Sequence, residues 1–240
     1  MANILDRYGI KEVADVTFYK LDSNGDPTTP VLYLDTLKVS TIEQTAENTS
    51  ARGGKGNPEL IMWDYGKEIT VTIEDALFSA KSMAIMYGAV DADGDAVLKD
   101  KTTILKTVRS SQVTDGKVSI NGTEITIPSG AKYYAADGSD ATSTNYDYVT
   151  FELTVEGKEI VISADTFPGT YYVTGDTYAR SETTGQDEFF QFILPKAKVQ
   201  SEVTLTMEAE GDPSTFSMNL KVLRPESGEM MKLVKYSLPQ

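Results

Sequence analysis

Two short acidic runs are the first places in this chain where residue type and spacing could do chemistry. Asp91, Asp93 and Asp95 in DADGD, and Asp22, Asn24 and Asp26 in DSNGD, put oxygen ligands at alternate positions, as a calcium site requires. In both runs the glycine stands fourth instead of sixth, and no glutamate occupies the twelfth place. Both therefore read as turns, and no metal site is assigned. RGGKGN at 52–57 is rich in glycine but lacks the GxxxxGK spacing of a phosphate cradle, and a proline and a strand follow it. The abundant carboxylates could supply a glycosidase pair, yet spacing along the chain says nothing about two acids meeting across a cleft. Histidine and cysteine are absent, which removes the commonest general base and all thiolate or disulfide chemistry. No catalytic residue and no cofactor is assigned, and the chain does not read as an enzyme.

The charge narrows the partners. A formal net charge of -14 disfavours ordinary DNA binding, which needs lysine and arginine to release counterions from phosphates. The acidity is uneven: residues 97–148 hold six acids and six bases, so it belongs to the segments that flank them. The opening MANILDRYGIKEV has no apolar signal core, and no apolar run approaches the roughly 20 residues that span a bilayer. The expectation is a protein made in the cytoplasm, with no membrane partner.

The elements that must position these residues are mostly strands. From Lys67 to Glu74 the chain alternates, with Ile69, Val71 and Ile73 on one face and Glu68, Thr70, Thr72 and Glu74 on the other, as in a half-buried strand. The period then changes. Ser79 is a good N-cap, Ala80, Met83, Ala84 and Tyr87 recur at helical spacing, and Gly88 offers a left-handed stop, which predicts one helix at about 79–87. Further strands are expected at Val13–Leu21 and Val31–Ile42, joined around Asn24-Gly25 by a loop lengthened by Pro27 and Pro30. Residues 1–12 read as an arm ordered only against something else. Later strands are expected at Tyr148–Val155, Glu159–Ser163, Thr170–Arg180, Phe189–Leu194 and Met231–Leu238, with an alternating hairpin formed by 203–209 and 216–222. Turns break up 97–148, so it reads as a β-rich insertion or decoration between 1–96 and 149–240, which together form one discontinuous core.

Residues 43–58, EQTAENTSARGGKGNP, contain no large apolar side chain and read as a long functional loop. Its only bases are Arg52 and Lys55, held among glycines that let a backbone lie close to another surface. Glu47, Asn48, Arg52, Gly53, Gly54, Lys55 and Asn57, with Trp63 just beyond, form the surface expected to contact a neighbouring molecule. Tyrosines occur in pairs, Tyr133 with Tyr134 and Tyr171 with Tyr172, a composition that suits both strands and partner surfaces.

Two blocks, RGGKGNPELIMWDYGKEITVTIEDALFS at 52–79 and DEFFQFILPKAKV through LTMEAEGDPSTFSMNLKVL at 187–223, resemble the tail tube proteins of long-tailed bacteriophages, most of all those infecting Gram-positive hosts. The resemblance covers roughly the first 96 and the last 55 residues, and 97–148 departs from it. It implies an antiparallel β-sandwich or barrel-like fold with one flanking helix, and six copies closing a ring. Stacked rings would form the tube through which phage DNA leaves the capsid. It further implies a virion location, and as partners the chain itself, the tape measure, distal tail and terminator proteins, and DNA passing through without specific binding. Within such a ring Glu68 and Glu208 are expected to face the lumen, because each lies opposite an apolar row. The competing reading is a secreted or surface β-sandwich module that binds carbohydrate or calcium.

Overall fold

The structure is a computed structural model that describes residues 7–203 and 215–237. It divides the chain into two compact units, one formed by residues 1–98 with 160–240 and the other by 99–159. The larger unit opens with β1 (Tyr8–Ile10), β2 (Asp15–Leu21), β3 (Pro27–Leu34), β4 (Leu37–Arg52) and β5 (Glu59–Asp75). The β2–β3 turn is tight. Asp22 closes it by accepting from the backbone N–H of Asn24 and Asp26 at 2.8 and 2.9 Å, so Pro27 and Pro30 fall inside β3 instead of lengthening a loop. The expected strand Val31–Ile42 is two strands. It breaks at Asp35-Thr36, where Thr36 donates its hydroxyl to the buried carboxylate of Asp75 and its carbonyl accepts from Ala76 N–H.

The helix α1 (Ala80–Tyr87) forms where the change of period placed it. Ser79 Oγ accepts from Ser82 N–H at 3.0 Å and Ser82 Oγ accepts from Ser79 N–H at 2.9 Å, a reciprocal cap that satisfies two otherwise orphaned donors. Gly88 ends it at φ 75°, and Ala89 N–H reaches back to Ala84 at 2.8 Å. The buried face is Ser82, Ala84, Ile85 and Met86, whereas Met83 and Tyr87 of the expected stripe are only half-buried.

The second unit comprises β6 (Lys99–Arg109), a short 3-10 turn, β7 (Val113–Thr114), β8 (Lys117–Ile120), β9 (Thr123–Thr126), β10 (Lys132–Tyr134) and β11 (Tyr148–Glu159). β11 pairs with β6 from Tyr148↔Arg109 to Glu159↔Lys99, and β10 covers its other edge. The strand expected to resume the larger sheet at Tyr148 thus belongs to this unit. Residues 160–163 lie outside any strand, although a strand was expected over Glu159–Ser163. Its core is small: Val118, Val149 and Phe151 are buried, with Val108, Ile125, Leu153 and the Tyr133–Tyr146 ring pair packed on them.

The chain returns to the larger unit with β12 (Thr170–Ser181), β13 (Asp187–Val199), β14 (Phe216–Val222) and β15 (Lys232–Tyr236). The sheet order is β3-β2-β12-β13-β14-β5-β4, with β1 added to β12 and β15 to β13. All these pairings are antiparallel. Val16 and Phe18 from one end of that order share a single buried cluster with Ile69, Val71 and Ile73 from the other, so the sheet curls around one core. Each fully buried aliphatic or aromatic side chain contributes on the order of 1.5–3 kcal/mol. Of the expected N-terminal arm, Tyr8–Ile10 is tied to this chain itself, pairing with Ser181–Ala179. The expected strand at 203–209 falls almost wholly outside the described residues. Within them, the apolar row Phe216, Met218, Leu220 and Val222 is paired with β5 and β13.

Candidate functional site

Residues 43–58 do not form a loop. β4 continues to Arg52 and β5 begins at Glu59, and the two pair from Leu37↔Asp75 to Arg52↔Glu59, leaving only Gly53–Pro58 as the turn. Ile69 is the last buried residue of β5 on the way to the tip, and everything from Glu59 to Glu68 is exposed. At about 3.3 Å per residue the ribbon projects roughly 30 Å beyond the core. β14 supports β5 only between Asp75 and Thr70, so over the projecting stretch β4 is the one strand paired to it among the described residues.

The ribbon brings the expected interface residues together along one arm. Glu47 pairs with Tyr65, Asn48 with Asp64 and Thr49 with Trp63. Arg52 Nη2 meets Glu59 Oε2 at 3.2 Å across the end of the ladder. Gly53, Gly54, Lys55 and Asn57 make the turn, which is closed by Asn57 N–H donating to Gly54 O at 3.1 Å and Gly53 N–H donating to Pro58 O at 3.2 Å. A bulge at Gly66-Lys67, facing Ala46, separates this arm from the part of the ladder that roots it in the core. Glu68 stands at the root, where its carboxylate accepts from Lys221 Nζ at 2.9 Å; Glu208 lies outside the described residues.

The expected interface set omitted the apolar content of the arm beyond Trp63. Leu60, Ile61, Met62, Trp63 and Tyr65 are 52–63% exposed. Since side chains alternate along a strand, Leu60 and Met62 lie on one face of the ribbon and Ile61, Trp63 and Tyr65 on the other. The residues opposite are small or polar: Ala51, Ser50 and Thr49. The signal was available in ELIMWDY, where apolar residues follow one another without alternation, which a strand with one solvated face does not do.

The acidic runs are hairpin turns. Asp91 repeats the geometry of Asp22, accepting from the backbone N–H of Asp93 and Asp95 at 3.0 and 2.9 Å. Backbone N–H groups, that of Asp26 foremost, hold the Asp22 carboxyl below the usual range. Lys20 Nζ sits 2.6 Å from Asp95 and joins the two turns. Among the described residues, no three carboxylates converge as a cation would need. Tyr171 is buried in the core, and its hydroxyl donates to Gly94 O at 2.9 Å, whereas Tyr172 packs edge-on against Tyr19.

The described residues thus form a curled antiparallel sheet that carries a long ribbon with exposed apolar side chains on both faces. Comparison with protein-family models matches the YomU/Tube protein family over residues 8–235, and the chain belongs to that family. It is a phage tube-type structural protein of the virion tail, a class that assembles with itself and with other tail proteins. No curated protein matches the chain.

Proposed function

We propose that six copies of this chain close a ring and that the rings stack into the tail tube through which phage DNA is ejected. The observation that carries the reading is the β4–β5 ribbon, which exposes apolar side chains on both faces where a solitary subunit has nothing to cover them. The opposite end of the sheet order, β3, carries Pro27 and Pro30, residues that blunt an edge against uncontrolled pairing. Contacts would then be heterologous, which suits a closed ring and an open stack along its axis. Glu47, Asn48, Arg52, Gly53, Gly54, Lys55, Asn57 and Trp63 are the interface residues of this reading.

The polar face of β5 is the candidate lumen wall. Glu68, whose charge Lys221 partly balances, and Glu208 with it, would be the carboxylates of that wall, since acidic side chains in a low-dielectric channel repel phosphates. The tape measure, distal tail and terminator proteins are the further partners, and the chain is made in the host cytoplasm before assembly.

The test removes the ribbon. Replacing residues 46–67 by Asn-Gly leaves Thr45 and Glu68, which already pair, joined by a favoured two-residue turn. The truncated protein is expected to elute as a folded monomer in size-exclusion chromatography, while the full chain forms rings or tubes in negative-stain micrographs. A full chain that stays monodisperse and monomeric would exclude this function and favour a binding module.

A further inference from the structure

An apolar groove of about 350 Å³ lies in the larger unit between the segment before β2 and the start of β4. Ile10, Val13, Val39, Ile42, Phe190 and Phe192 line it, and Ile10, Val13 and Val39 are exposed although apolar. Ser40 also borders the groove. Its Oγ is buried and has no hydrogen-bond partner among the described residues. A hydroxyl in that state carries an unmet desolvation penalty until a partner arrives. β4 stands at the end of the sheet order, so the backbone beside Lys38–Ile42 is an open edge among the described residues.

The arm carries the complementary set. Trp63 is the only tryptophan of the chain, it is 52% exposed, and its face of the ribbon is shared with Ile61 and Tyr65. An indole that leaves water needs an acceptor for its N–H. Among the described residues, the far edge of β5 between Glu59 and Glu68 is unpaired, as is the edge of β4 at the groove. The projecting arm stands well clear of its own core, so it is free to reach another molecule.

Building on the assembly reading above, we propose that Trp63 of one copy seats in this groove of a second copy, where the buried Ser40 hydroxyl turns toward it and accepts from its indole N–H. The ribbon's unpaired edge then lies along the start of β4, and one contact covers two apolar surfaces, satisfies the orphaned hydroxyl and replaces the water given up by the indole N–H. The pairing is heterologous, because donor and acceptor surfaces are different parts of the chain.

The sole indole makes the test direct. Assembly of the wild-type chain, followed by sedimentation, should blue-shift the tryptophan emission in step with particle formation. Ser40→Ala should raise the concentration needed for assembly about tenfold, the equivalent of one buried hydrogen bond to an orphaned donor. The isolated subunit should keep its melting temperature or gain slightly, because an unsatisfied hydroxyl is removed. Trp63→Phe retains a ring without the N–H, so adding it to Ser40→Ala should restore assembly part of the way. Normal tubes whose emission does not shift, or substitution effects that simply multiply, would overturn this docking while leaving the assembly reading intact. A wild-type chain that never assembles would overturn both.

Discussion

Tyr171 shows how one side chain ties distant parts of this fold together. Its ring packs edge-on against Phe18 at 5.8 Å, and its hydroxyl satisfies the buried Gly94 carbonyl of the Asp91–Asp95 turn. Burial pushes that hydroxyl up to about 12, with the carboxylates of Asp95 and Asp91 adding to the effect. An unfolded tyrosine ionises near 10. Between those two values the unfolded chain releases the proton while the folded chain retains it, so stability falls as pH rises through the window. The slope from this residue is at most about 1.4 kcal/mol per pH unit, and below about pH 10 it vanishes. Tyr171→Phe should remove this component, seen as a shallower loss of urea midpoint between about pH 10 and 12 than in the wild type. Near neutrality the same substitution should destabilise by about 1–3 kcal/mol, because the Gly94 carbonyl loses its donor.

At the scale of elements, the β12–β13 pair rests on a close approach. Gly175 and Phe192 are register partners, and a Cβ on Gly175 would stand 2.1 Å from the Phe192 ring. Gly175→Ala should therefore cost about 1–3 kcal/mol through overpacking, measurable as a lowered denaturation midpoint with the secondary structure retained. The elements legible in the sequence were those with a buried face. Lys67–Glu74 alternated because Ile69, Val71 and Ile73 meet the core, and Ser79 and Gly88 marked the helix by their backbone chemistry. β4 beyond Ile42 was illegible for the converse reason: EQTAENTSAR buries nothing, and its strand conformation comes from ladder hydrogen bonds to β5 alone. The same blindness turned an arm into a loop, although Trp63 and the glycine turn do lie together on that arm. The groove around Ser40 could not be read at all, since it joins residues near 10, 40 and 190 that only the curled sheet brings together.

The whole chain is two units with separate cores, and the break between them has a simple covalent geometry. Lys99 and Glu159 pair across β6 and β11, with Lys99 Nζ 3.0 Å from Glu159 Oε1, so the chain enters and leaves the second unit side by side. Excising residues 99–159 and joining 98 to 160 through a short glycine-serine linker should leave the larger unit folded, with a cooperative melt and a retained near-ultraviolet signal from aromatic rings such as the buried Tyr171. A molten product would show instead that the second unit is integral to the core. The C-terminal boundary near 159, as opposed to 148, was hidden because β11 looks like any other strand in sequence; only its partners distinguish it.

The central place of β12 bears on synthesis. It pairs with β1 and β2, and Thr177 Oγ1 reaches Glu12 O, 165 residues earlier in the chain. On the ribosome, β1 and β2 must wait for it, while the second unit is complete before β12 emerges, and the β4–β5 ribbon needs only its own local contacts. Nascent chains thus display their apolar arms early. The groove that would receive an arm does not exist until β13 has brought Phe190 and Phe192 into place. Neighbouring chains on one messenger are in this way kept from joining before each has finished its own sheet.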